Sequence, residues 1–177
     1  MSPLALQRER QARDLAGLYA LQRRYPTLLT IRAVEGSPPH RIELAVHIPT
    51  AVDPAFPRRR RPASRVLLQL PARYPFEPAR VTAVDDVYNP NVFPSGTFCL
   101  GNGHRATRTL AETVLQVMRI LALDPEVINC TSPANYEAAL WFAPQRAGGL
   151  FPTDDRGQFE VRSAGTIPFR EPAASSP

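Results

Sequence analysis

Between residues 41 and 49, Ile42, Leu44, Val46 and Ile48 alternate with Glu43, Ala45 and His47. Apolar side chains at period two place one face of an extended chain on a core and leave the other to water. Runs rich in Leu, Ile and Val at 27–35, 65–70 and 79–84 give three more strands, and Gly36-Ser37-Pro38-Pro39 turns the first into the second. Ahead of them, residues 3–24 carry Leu4, Leu15, Leu18, Tyr19 and Leu21 on a background of Arg, Gln and Glu, the spacing of an amphipathic helix. That helix ends at Tyr25-Pro26, because the residue before a proline disfavours helical angles. After the strands, Thr109-Leu110-Ala111-Glu112 is a capping box, and Leu110, Val114, Val117, Met118 and Leu121 behind it predict a buried helix. Ser132-Pro133 opens another, with Ser as N-cap, Tyr136, Ala139, Leu140 and Trp141 as packing residues, and Gly148-Gly149 as its end. A helix, four strands and then helices predict an α+β domain around an antiparallel meander.

Composition narrows the classes of function. At 177 residues and 44% hydrophobic, the chain reads as one domain with a genuine core. No apolar run approaches the ~20 residues that span a bilayer, and the N-terminus lacks an apolar signal core, so a cytoplasmic protein without a membrane partner is expected. Two cysteines, Cys99 and Cys130, are too few for a disulfide scaffold or a zinc site, so no metal or cofactor is expected. All 21 basic residues are arginine, which fits a GC-rich, bacterial source. A chain without lysine also offers no lysine side chain to a lysine-modifying chemistry of its own. The net charge of +5 gathers in Arg58-Arg59-Arg60-Arg61 between Pro57 and Pro62. No aromatic residue interleaves with that run to stack on bases, so it reads as a solvated loop rather than a nucleic-acid surface.

Residues 88–101 read Tyr-Asn-Pro-Asn-Val-Phe-Pro-Ser-Gly-Thr-Phe-Cys-Leu-Gly. Asn89-Pro90-Asn91 and Pro94-Ser95-Gly96 are two turns three residues apart, and the apolar residues around them are isolated. This is an irregular surface loop, and it presents Cys99. A free cysteine is more often a small buried hydrophobe, so the neighbourhood decides. Tyr74-Pro75-Phe76-Glu77-Pro78, Asn89-Pro90-Asn91 and Gly96-Thr97-Phe98-Cys99-Leu100, with the cysteine eight residues after Asn91, resemble the core of the ubiquitin-conjugating (E2) enzymes. That family reads Tyr-Pro-Phe-x-Pro-Pro, then His-Pro-Asn, then Gly-x-x-Cys-Leu. The resemblance covers about residues 5–142 and points to the bacterial E2-like branch.

The resemblance implies a UBC-like fold: an N-terminal helix, a four-stranded antiparallel meander sheet, an active-site loop and C-terminal helices. It implies that Cys99 accepts the C-terminal acyl group of a ubiquitin-like protein from an E1-like activating enzyme and passes it to an amine of a target protein. Sulfur suits both steps, since a thiolate attacks well and leaves well. Asn91 would steady the loop and support the developing oxyanion. Phe76, on a loop stiffened by two prolines, matches the position that ligases grip. Arg8, Arg10, Arg13 and Arg23 lie on the first helix, where activating enzymes and ligases dock in that family. The bacterial members further imply a JAB-type deconjugating peptidase in the same system and a role against phage.

The chain departs from the family in four places. Asn89 replaces the usual His, which serves the loop's structure. The segment from Cys99 to the capping box is about three residues shorter and lacks the family's Trp. Where the family places an Asp to orient the attacking lysine, the nearest matches are Asn129 and Ser132, neither a carboxylate, with Cys130 between them. Beyond the domain at 1–147, residues 148–170 read as a hairpin-like extension packed on it and 171–177 as a disordered tail, where the common form continues with helix. Two other readings stay open: a cysteine hydrolase pairing Cys99 with His40, His47 or His104, and a non-catalytic binding module of the E2-variant type.

Overall fold

A computed structural model of the chain describes residues 3–146 and 151–153. The first helix, α1, spans Pro3–Arg24, the range its apolar spacing predicts. Leu18 and Leu21 are buried on it, but Leu4 and Tyr19 face solvent. The inward stripe instead runs through Gln11, Asp14, Leu18 and Leu21, an i, i+3, i+7, i+10 series. A carboxylate thus lies on the buried face of α1.

Strands β1 (Leu29–Glu35), β2 (Arg41–Val46), β5 (Ser64–Gln69) and β6 (Arg80–Ala83) form one antiparallel sheet in the order β1-β2-β5-β6. This is the predicted meander. Between β2 and β5 the chain inserts a short ribbon, β3 (Thr50–Ala51) paired with β4 (Arg60–Arg61). Half of the arginine run is therefore a short strand, and Arg58, Arg59 and Arg60 remain exposed, as a solvated run should. Asp53 pairs with Arg59 at 2.8 Å, and Asp85 lies 3.9 Å from Arg61 and 3.2 Å from Arg65. Acidic neighbours draw these arginines onto the sheet edge and offset their mutual repulsion.

Helix α2 (Leu110–Leu121) lays its apolar face on the sheet. Its capping box forms as the sequence predicts: Thr109 accepts from the Glu112 amide, and Glu112 accepts from the Thr109 amide. Leu110, Val114, Val117, Met118 and Leu121 are buried in one core with Ile42, Leu44, Val46, Val66, Leu68 and Val81. Truncating such a side chain costs about 2–5 kcal/mol, so α2 is firmly seated.

Helix α3 (Tyr136–Phe142) differs from expectation. Its N-cap is Asn135, whose side chain accepts from the Ala138 amide at 3.1 Å, and not Ser132. The later start shifts the buried face to Ala138, Ala139 and Phe142, and leaves Tyr136 and Leu140 exposed. A 3₁₀ turn at Ala143–Gln145 follows. Phe142 stacks on Phe151 at 5.0 Å, and Phe56 lies 6.5 Å from Phe151, forming a satellite core with Ala51 and Leu123. Phe151–Thr153 are the described part of the expected extension; its hairpin, the Gly148-Gly149 break and the 171–177 tail lie outside the described residues.

Candidate functional site

The segment after β6 is built to hold a loop still. Ala83 donates to the Gly96 carbonyl at 2.8 Å, and Thr97 bridges to Thr82 on β6. Gly96 has φ +84°, and a Cβ there would stand 2.6 Å from the Ala83 carbonyl oxygen. Only glycine fits that approach without strain. Val92 pairs with Phe98 across the 93–96 turn, and both are buried. The isolated apolar residues of the sequence are thus anchors under the loop.

Cys99 follows Phe98 directly and is half-buried. Its amide donates to the Asn91 carbonyl at 2.7 Å. The Asn91 side chain works in the other direction: Nδ2 donates to the carbonyls of Cys99 (3.4 Å) and Val127 (3.2 Å), and Oδ1 accepts from the Asn129 amide at 2.8 Å. One buried amide therefore joins the cysteine loop to the 127–129 segment. Asn89, which is 1% exposed, accepts from the Asn91 amide at 2.8 Å and donates to the Ile120 carbonyl at 2.6 Å, fixing the turn to the end of α2. The Asn-for-His exchange serves loop structure here. Pro90 closes the turn, its carbonyl accepting from the Ala134 and Asn135 amides.

The 127–129 segment is held from behind. Arg119 donates to buried Asp124 at 2.5 Å and to Glu126 at 2.6 Å. Burial opposes the Arg119 charge, but its bonds to Asp124 and Glu126 outweigh that and raise its pKa. Asn129 accepts from the Thr131 and Ser132 amides at 3.0 Å, an Asx-type turn that puts Asn129, Cys130, Thr131 and Ser132 at the surface. Burial raises the Cys130 thiol pKa, and nearby Arg146 partly offsets it. The structure thus brings Cys99, Asn91 and Asn129 together, with Ser132 tied to Asn129.

The remaining candidates lie elsewhere. Phe76 is 75% exposed on its loop, so it does not tuck beneath the sheet. Arg13 is exposed beside Glu9, and Arg8 lines a cleft between α1 and the β1–β2 turn with Leu15, Tyr19 and Pro38. Arg10 is a correction. Its guanidinium bonds Asp14 (2.8 Å) and the carbonyls of Ala106 (2.7 Å) and Arg108 (2.6 Å), so it belongs to the fold rather than to an open docking face. Asp14 also accepts from the Tyr74 hydroxyl and, at 3.4 Å, from the Leu110 amide. Burial and the bond to Asp14 push the Tyr74 phenol far above its ordinary value, so it stays a donor. The i, i+4 pair Arg10 and Asp14 on a leucine stripe was the signal in the sequence.

The histidines have other partners. His104 Nε2 bonds the Pro75 carbonyl at 2.8 Å, His47 bonds Thr30 at 3.1 Å, and the His40 ring packs over Gly36. None of these described contacts is to Cys99. No group of three or more His, Cys, Asp or Glu able to hold a metal occurs among the described residues.

Residues 60–147, which contain this loop, match the family model for ubiquitin-conjugating enzymes. The chain belongs to the ubiquitin-conjugating enzyme family. Ubiquitin-conjugating enzyme E2 2 of Yarrowia lipolytica is 33% identical over 106 residues, 58% of this chain and 61% of that protein. The Saccharomyces cerevisiae protein of the same name is 34% identical over 86 residues, 47% of this chain and 48% of its own. The ubiquitin-conjugating enzyme E2 of African swine fever virus is 30% identical over 82 residues, 41% of this chain and 36% of its own. The matches thus span between about a third and three-fifths of these relatives. Among solved structures, S. cerevisiae Ubc12 superposes with a TM-score of 0.57 at 22% identity, over 78% of this chain and 71% of its own. That likeness establishes the UBC fold.

Proposed function

We propose that the chain is an E2-like conjugating enzyme that carries a ubiquitin-like protein as a thioester on Cys99 and transfers it to an amine of a target protein. The observation that carries this reading is the Asn91 clasp: a cysteine at the family spacing, half-exposed, on a loop hydrogen-bonded from both sides. In the first step the Cys99 thiolate attacks the thioester carbonyl of the modifier on an E1-like enzyme. A new C–S bond forms at Cys99, the old one breaks, and the activating enzyme's thiolate leaves. In the second step an amine nitrogen attacks that carbonyl, the amide forms, and Cys99 leaves as thiolate while the amine's proton passes to solvent. The incoming ester is already activated, so orientation carries much of the catalysis.

Asn91 contributes first as the clasp. Its Nδ2 group also supports the oxyanion when it turns from the Val127 carbonyl. Asn129 and Ser132 stand at the gate, and a target amine meets amide and hydroxyl groups there rather than a carboxylate. Phe76, Arg8 and Arg13 form the partner-facing surface for the activating enzyme or a ligase. Residues 1–147 form the conjugating domain, against which Phe151 packs beside Phe56 and Phe142. The absence of lysine in the sequence supports a bacterial source. A cytoplasmic phage-defence system that also contains a JAB-type peptidase follows from the family resemblance.

The test mixes the protein with its activating enzyme, modifier, ATP and magnesium and resolves the products on a non-reducing gel. A band shifted by the mass of the modifier, lost with thiol reductant and absent in Cys99→Ala, is expected. No band from wild-type protein beside a loaded activating enzyme overturns the reading in favour of a binding module.

A further inference from the structure

We infer that Asp14 is a positioning residue for the Cys99 loop, acting through Arg10, Arg108 and Gln116. The inference rests on the reading of Cys99 as the thioester carrier. The Asp14 side chain is 1% exposed inside α1 and accepts from Arg10 Nε at 2.8 Å. Arg10 extends past it to the carbonyls of Ala106 and Arg108, closing the segment between Cys99 and α2 like a strap. Arg108, whose backbone carbonyl the strap holds, donates through its guanidinium to Gln116 Oε1 on α2. Gln116 Nε2 then donates to the Leu100 carbonyl at 3.3 Å. Leu100 is bonded to Cys99 in sequence, so a continuous chain of polar contacts runs from the core of α1 to the cysteine's C-terminal side.

A buried carboxylate is costly unless paired, and here it is satisfied by an arginine, a phenol and a backbone amide. A leucine at position 14 would complete the apolar stripe and fill the same place in the core. What the carboxylate adds is geometry: it fixes the Tyr74 loop and the 101–109 segment against each other. His104 reinforces the same junction by bonding the Pro75 carbonyl. The segment shortened relative to the family is therefore held by α1. Asn91 grips Cys99 itself through its amide and carbonyl; Asp14 sets the following residue, Leu100, at a distance.

The test uses full-length protein charged on Cys99, with discharge to free cysteine followed in a single turnover. Arg10→Met and Gln116→Leu remove separate links of one chain, and neither removes the buried carboxylate. Each slows discharge by about fivefold, and the double variant is no slower than the worse single, because broken links in series do not compound. Multiplying effects, or discharge unchanged while thermal stability falls, would overturn the inference and leave a purely structural network. Asp14→Asn matches the single variants where it folds. A second measurement needs neither modifier nor activating enzyme: alkylation of Cys99 by iodoacetamide in a Cys130→Ser background. A roughly fivefold rise in rate on Gln116→Leu supports the positioning role even if no thioester ever forms. An unchanged rate contradicts it.

Discussion

The two cysteines occupy two loops joined by one side chain, and the loops are built differently. Cys99 is gripped through its own backbone by Asn91, beneath which Val92 and Phe98 reach the core. Cys130 rides on an exposed turn whose following amides bond the side chain of its neighbour Asn129. A loop whose backbone is bonded on both sides holds a nucleophile in one place, which a transfer reaction requires. A solvent-facing turn offers access without placement. Exposure alone favours Cys130, whereas placement favours Cys99.

The sharpest way to break this comparison is to remove each sulfur. Cys99→Ala abolishes thioester formation, whereas Cys130→Ala charges within about twofold of wild type, measured as initial rate. Next comes the clasp. Asn91→Ala leaves the Cys99 and Val127 carbonyls and the Asn129 amide without their partner, at about 1–3 kcal/mol for each group kept from water. Discharge falls by tenfold or more and the melting temperature drops, read by single-turnover kinetics and thermal unfolding. The turn beneath the loop gives a smaller contrast. Gly96 and Gly101 share φ +84°, but a Cβ meets the Ala83 carbonyl at position 96 and nothing within 4 Å at 101. Gly96→Ala therefore destabilises more than Gly101→Ala, which costs only the ~1 kcal/mol of a left-handed alanine. Weakest is Asn129→Ala, which loses the turn's side-chain acceptor but keeps the amide that Asn91 holds, so discharge changes by less than about threefold.

Protonation sharpens the same contrast. Burial raises the Cys130 pKa, so its thiolate fraction at neutral pH is below that of an ordinary thiol. Its alkylation in Cys99→Ala protein lags a model thiol and catches up only as pH rises through the raised value. The carboxylates run the other way. Backbone and side-chain bonds from Thr109 lower the Glu112 pKa; burial opposes ionisation of Asp85, but bonds and charge from Arg65, with Arg61, lower its pKa overall. A lowered folded pKa contributes stability above the unfolded value, and that stability is lost as pH falls through the folded one. Acid titration of thermal stability in Glu112→Gln protein is accordingly shallower than in wild type.

The sheet and α2 were readable because periodicity and a capping box are local signals, written within a few residues of where they act. The Cys99 loop was readable as well, since two turns and a spacing of eight are contained in fourteen residues. Asp14 was not, although it lies on the leucine stripe of α1, because its partners Tyr74 and Leu110 are 60 and 96 residues away. Arg10 was taken for a docking charge for the same reason. Ser132 made a plausible N-cap, and the structure spends its amide on the Asn129 turn, leaving Asn135 to cap α3. The arginine run is solvated as read, but its pairing with Asp53 and Asp85 was not foreseen. Long-range polar pairing, rather than hydrophobic patterning, is what the sequence concealed.

The most direct test of the account is the intact mass of the charged wild-type protein, followed by peptide mapping under acid. The account predicts one added modifier less one water, located on the peptide bearing Cys99 and released by hydroxylamine. Modifier on Cys130, or on neither cysteine while the activating enzyme is loaded, would contradict it.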